Sequence, residues 1–172
     1  FESSSSQWLL PYPRPARYNY SEYYDSIAAH RINTKLINPE VRLKDAWEFY
    51  VKTFIMPNGL VRHLRMATDE KTVIGQNEAV SEGVGYGMLL AVICNDQTNF
   101  NKIFEGGNQH MWKGSSYGCW SWSNGNCVQG GAATDADLDI ALALVFADKL
   151  QEYGYWKPYN NGGVTYKSRA EQ

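Results

Sequence analysis

Three glycines alternate at the start of what should be a helix. Residues Ser81-Glu82-Gly83-Val84-Gly85-Tyr86-Gly87-Met88 run without a break into Leu89-Leu90-Ala91-Val92-Ile93-Cys94, and the spacing predicts one helix over residues 82–94. Each interior glycine costs a helix roughly 0.8–1 kcal/mol relative to alanine. Close approach of another backbone or of a ligand is the usual compensation. Glu82 then stands at a helix N-terminus beside a surface cleared of side chains, a fitting place for a working carboxyl group. The residues alone leave a second reading open: a first-turn glutamate favoured by the helix dipole, above glycines that serve tight helix packing.

The rest of the chain supplies more helices around this one. Asn38-Pro39-Glu40 has the pattern of a helix start, with Asn as N-cap and Pro at the first helical position. Leu43, Ala46, Trp47, Tyr50 and Phe54 follow at helical spacing, up to the turn Met56-Pro57-Asn58-Gly59. A short helix is expected around residues 21–30. Another begins near Thr98, with Phe100, Ile103 and Phe104 apolar, and is expected to weaken at Gly106-Gly107. A further helix runs from Asp135 to about Tyr153, with Leu138, Ala141, Leu142, Val145 and Leu150 facing a core. The stretch from Val164 starts one more. Short strands are expected at residues 60–65 and 72–74. Ser123-Asn124-Gly125-Asn126 predicts a hairpin over residues 119–128. Residues 1–17, serine-rich and then carrying Pro11, Pro13 and Pro15, read as an extended leader or linker, and residues 18–172 as one domain. The pattern is all-α, built of helix pairs with decorated loops.

Composition narrows the function. At 172 residues and 44% hydrophobic, the chain has material for one core. A net charge of −2 with no basic block excludes the footprint that nucleic acid needs. No apolar run approaches the ~18 residues of a membrane helix. His30, His63 and His110 are scattered without zinc spacing, so no metal is expected. Gly83–Gly87 lacks the strand and full spacing of a dinucleotide loop, and no cofactor is expected. Gly114-Ser115-Ser116-Tyr117-Gly118 matches a serine-hydrolase elbow in form, but a Trp-rich hairpin follows it where a helix is required. Cys94 reads as a buried free thiol, while Cys119 and Cys127 flank the hairpin turn and can bridge its base in an oxidising compartment.

A second carboxylate cluster is Thr134-Asp135-Ala136-Asp137-Leu138-Asp139. Asp135 and Asp139 share a helix face, where like charges repel mildly. First-turn acids answering the helix dipole explain one or two of the three carboxylates but not Asp139. A calcium loop starting at Asp135 would need Gly and Glu where Ile140 and Phe146 stand. Glu82 and Asp135 thus sit at two helix starts, which a helix-pair architecture can open onto one end of the domain. Glycoside hydrolysis uses such carboxyl groups, one protonated and one charged. Trp120 and Trp122 alternate on the hairpin, placing both on one side to stack on sugar rings or, equally, to pack a core.

These residues resemble a known family. Ser-Glu-Gly-x-Gly-Tyr-Gly-Met-Leu-Leu-Ala-Val, followed by Ala-Thr-Asp-Ala-Asp-Leu-Asp-Ile-Ala, is similar to glycoside hydrolase family 8, from about Trp47 to Tyr153. The resemblance implies an (α/α)6 barrel and inverting hydrolysis of β-1,4-linked polysaccharide by a secreted or periplasmic enzyme. It implies Glu82 as general acid and Asp135 as the residue that holds the sugar at the cleavage point and helps place the water. Trp120 or Trp122, the latter slightly favoured, would line the donor side, with Tyr86 and Asp139 also binding substrate. The Thr-Asp-Ala-Asp form resembles the endoglucanase-type members, so cellulose or a related β-glucan is expected ahead of xylan or chitosan. The chain matches only about the first half of the barrel. The family's base lies in a Tyr/Asp/Arg-rich motif of the second half, which nothing here matches, so a missing half or a second chain is expected to complete the fold. A non-catalytic carbohydrate-binding fragment is the competing reading from another class.

Overall fold

The computed structural model describes residues 39–114 and 116–172. The expected leader and the expected helix at residues 21–30 lie outside the described residues.

Helix α1 (Pro39–Phe54) begins at the proline that presets its first turn. Trp47 is buried, and Leu43, Tyr50 and Phe54 pack partly buried against the core, whereas Ala46 is exposed. The Trp47 ring stacks on Tyr50 with centroids 5.5 Å apart. Its indole N–H donates to Asp96 Oδ2 at 2.9 Å. Helices α2 (Ser81–Ile93) and α3 (Gln97–His110) form a tight pair. Asp96 caps α3 by accepting from Asn99 N at 3.0 Å.

The expected weakening of α3 does not occur. The helix runs through Gly106 and Gly107, both buried, because each is a contact point. A Cβ on Gly106 would lie 2.6 Å from the Asn58 carbonyl oxygen, and one on Gly107 would lie 2.9 Å from the Tyr117 ring and 3.1 Å from Val84. Glycine here is read correctly only with its neighbours in view.

Helix α4 (Thr134–Glu152) runs beside α2 in the same direction. Near their starts, Gly85 of α2 meets Ala136, Asp139 and Ile140 of α4. Past their ends, Trp156 Nε1 donates to Asn95 Oδ1 at 2.7 Å. The expected core face of α4 is corrected by the structure. Ala136, Ile140, Ala143, Leu144, Ala147 and Leu150 are buried, while Leu138, Leu142 and Val145 are 66, 46 and 47% exposed. Gly85 of α2 lets that helix approach α4 closely at Ala136, and α4 is apolar on its other side as well, so periodicity could not choose between the two faces. A short last helix, α5 (Tyr166–Ala170), is opened by a capping box between Thr165 and Ser168.

The strands are few and short. β1 (Arg65–Met66) pairs antiparallel with β2 (Val73–Ile74). β4 (Cys119–Ser123) and β5 (Asn126–Gly130) form the expected hairpin. A third strand, β3 (Glu78–Val80), lies outside the strands expected from the sequence and adds to β4, giving the order β3-β4-β5. Cys119 and Cys127 are bridged, with their Cα atoms 5.8 Å apart and a sequence separation of 8. Reducing this bond should cost about 2–3 kcal/mol of loop-closure entropy, read as a lower urea midpoint with dithiothreitol present than without. Cys94 is buried and unbonded, and burial, then the nearby Asp96 charge, pushes its thiol up to about 11. Among the described residues, no helix is long and apolar enough to cross a membrane.

Candidate active site

Strand β3 passes directly into α2. Val80, the N-cap, is extended and offers no side-chain cap, so the first helical N–H groups point at an end free of capping side chains. Ser81 is fully buried and its Oγ donates to Glu82 Oε2 at 3.4 Å. Glu82 lies in the first turn, half-buried. One turn on, Tyr86 shares its face and is 55% exposed.

The sheet brings the tryptophans here. Val80 pairs with Ser121 and Ala79 with Trp122, so the register sets Trp120 beside the junction where β3 becomes α2. Trp120 is half-buried. Trp122 is only 6% exposed and packs on His110 at 5.6 Å. Irregular register on either side of Ser121 breaks the alternation that suggested both rings face one side. The sequence signal for Trp120's position was β3, three residues with no usable period.

The first turns of α2 and α4 stand at the same end of the parallel pair, which brings the Glu82 and Asp135 segments together. Asp135 is exposed and Asp139 half-buried in the second turn of α4. The two helices touch at Gly85, where a Cβ would fall 2.9 Å from Asp139 Cβ and 3.4 Å from the Ala136 carbonyl oxygen. A Cβ on Gly87 would lie 2.9 Å from Val61 and 3.1 Å from Ile103, whereas at Gly83 the nearest atoms are at an ordinary 3.6 Å. Two of the three glycines therefore serve helix packing, the simpler of the two readings, and that packing fixes the spacing of the carboxylate-bearing ends. Gly85→Ala should lower stability by about 1–3 kcal/mol through overpacking, measured by urea unfolding. An unchanged midpoint would mean that the helices have room.

Burial, and after it the charge of Asp135, holds the Asp137 carboxyl above the ordinary carboxylate range. Among the described residues no group of three or more His, Cys, Asp or Glu side chains is placed to hold a metal ion. The arrangement offers a half-buried carboxyl, a neighbouring acidic helix end and exposed aromatic surface, which suits proton donation to a sugar oxygen.

Comparison with known proteins gives the same direction. Residues 22–170 match the family described as glycosyl hydrolases family 8. The chain is 34% identical to "Endoglucanase 2" of Ruminiclostridium josui over 98% of its length and 34% of that protein's. It is 42% identical to "Endoglucanase A" of Acetivibrio thermocellus over 74% of its length and 26% of that protein's. Its structure resembles an endo-β-1,4-glucanase from Acetobacter xylinum with a TM-score of 0.52 and 28% identity, covering 66% of this chain and 34% of that one. The chain thus spans about a quarter to a third of the length of these relatives. Its helix-rich architecture fits an (α/α)6-type fold, and on the match over residues 22–170 the chain belongs to glycosyl hydrolase family 8.

Proposed function

We propose that this chain supplies the acid-bearing part of an inverting β-1,4-glucan hydrolase. Glu82 protonates the leaving glycosidic oxygen, and Asp135 holds the sugar at the point of cleavage and helps place the water. Tyr86, Asp139 and Trp120 form the adjoining binding surface, with Trp122 behind it supporting the sheet. The observation that carries the reading is the common end of two parallel helices, one starting at Glu82 and the other at Asp135, held together at Gly85. Cellulose or a related β-glucan is the substrate class, because the relatives named above are endoglucanases.

The base that activates water belongs to residues outside these 172, on a second chain or a further part of the same polypeptide. Leu138, Leu142 and Val145 of α4, with Ile93 of α2, are exposed apolar side chains of the kind that a completing half of the barrel would cover. The Cys119–Cys127 bridge supports a secreted or periplasmic home.

The test is the release of reducing ends from carboxymethylcellulose and from xylan. It compares the 172-residue chain with the longest natural polypeptide that carries it. Hydrolysis of the glucan by the longer protein, faster than of xylan, is expected, with little or none from the chain alone. Binding to glucan with no hydrolysis by either protein would favour the carbohydrate-binding reading instead.

A further inference from the structure

Beside the first turn of α4, three buried polar atoms without hydrogen-bond partners belong to residues that line one cavity. They are Tyr117 Oη, Asp137 Oδ1 and Arg169 Nε, and the cavity has a volume of about 110 Å³. The atoms come from three separate parts of the chain: the segment before β4, the first turn of α4, and α5. A fourth unpaired atom, Asn108 Oδ1, belongs to a residue that does not line the cavity.

Two of the three side chains, Tyr117 and Arg169, are held by other contacts, and Asp137 is placed through its backbone. Tyr117 is 2% exposed, and its ring meets Trp112 edge-on at 5.1 Å. The Arg169 guanidinium lies 3.9 Å from the centre of the Trp112 ring, and its Nη1 donates to Gln172 Oε1 at 2.8 Å. Asp137 is fixed by the helical backbone of α4, its N–H donating to the Ala133 carbonyl at 2.9 Å. Ile140, Ala141 and Leu144 form the apolar wall.

Buried polar atoms in native proteins are nearly always paired, with protein or with ordered water. The three atoms differ in what they require. Arg169 Nε only donates, an ionised Asp137 oxygen only accepts, and the Tyr117 hydroxyl does both. One small neutral molecule that both donates and accepts satisfies all three. A simple cation would leave Arg169 Nε unpaired, and an anion would meet the Asp137 carboxylate. A water needs about 10–15 Å³ of such space, so the cavity has room for several.

We propose that Tyr117, Asp137 and Arg169 form a resident-water site that joins the first turn of α4 to α5 and to the segment leading into β4. The shared water completes hydrogen bonds that no side chain reaches directly. It also orders the turn of α4 that carries Asp135. The site itself stands independently of the hydrolytic reading, since it rests only on packing and on polar atoms left unpaired.

Two measurements test it on the 172-residue chain. The first is high-resolution diffraction from crystals grown without sugar or polyol. The expected result is density for at least one water within about 3.2 Å of two or more of the three atoms. An empty cavity, or a direct bond from Tyr117 to Asp137, would overturn the site. The second is a double-mutant cycle of Tyr117→Phe and Asp137→Asn, read by urea unfolding. A shared water should make the double variant's unfolding constant depart from the product of the single effects by about 3- to 30-fold. Agreement within about twofold would mean that the groups are solvated independently and would overturn the shared site. If a variant fails to fold, the diffraction result decides. A saturable shift of the Arg169 Nε–H resonance on adding cellobiose would instead identify a sugar hydroxyl as the occupant and overturn the assignment to water.

Discussion

Glu82→Gln should lower the hydrolysis of β-1,4-glucan by about 10²–10⁴-fold, the range that a positioned proton donor contributes. The amide fills the space of the carboxyl but has no acidic proton to give. Stability should stay within about 0.5 kcal/mol of the parent, because Glu82 is only half-buried and its hydrogen bond to Ser81 Oγ is long, at 3.4 Å. The loss should depend on the leaving group. An aryl cellobioside whose phenolate departs without help should lose far less rate than cellulose, since protonation adds little there. A fall of less than about threefold on the polysaccharide, far below the range for a donor, would assign proton donation to another residue. The assay uses the active polypeptide that carries the chain.

A large stability loss should come from Gly59→Ala. Gly59 sits at φ +88°, where side chains are strained. A Cβ there would also lie 2.1 Å from the Lys102 carbonyl oxygen and 3.0 Å from Gly106 Cα. Both obstacles are backbone on α3, so no rotamer change relieves them. Left-handed strain plus overpacking amounts to about 2–4 kcal/mol, a large share of the roughly 5–15 kcal/mol that holds a domain folded. Gly154→Ala is the control. Its φ is +76°, but nothing lies within 4 Å of the added carbon, so only the backbone strain of about 1–2 kcal/mol remains. Equal losses at the two positions, by urea unfolding, would contradict the close packing of the 56–59 turn on α3.

The helices were readable where one face differs from the other. Trp47, Tyr50 and Phe54 mark the inner face of α1 because the charged Lys44, Asp45, Glu48 and Lys52 fall on its exposed side. In α4 the same method placed Leu150 correctly but failed at Leu138, Leu142 and Val145, which look as apolar as Ile140 and Leu144. What decides is the close approach of α2 across Ala136 and Gly85, a tertiary fact. Gly106-Gly107 misled for the same reason: their partners, Asn58, Gly59 and Tyr117, are remote in sequence or lie in other elements.

For the site, the motifs named Glu82 and Asp135, and the two helices that carry them meet at Gly85 near their starts. The different burial of the two tryptophans was not readable. It depends on a three-residue strand and on irregular pairing around Ser121, neither of which leaves a periodic trace. The cavity beside Asp137 was hidden as well, because Tyr117 and Arg169 reach it from distant segments.

Inverting hydrolysis fixes the configuration of the first product, so proton NMR of the earliest digest is the most direct measurement. With β-glucan and the active polypeptide that carries this chain, the new reducing end should appear first as the α anomer, before mutarotation. The β anomer appearing first would contradict the account.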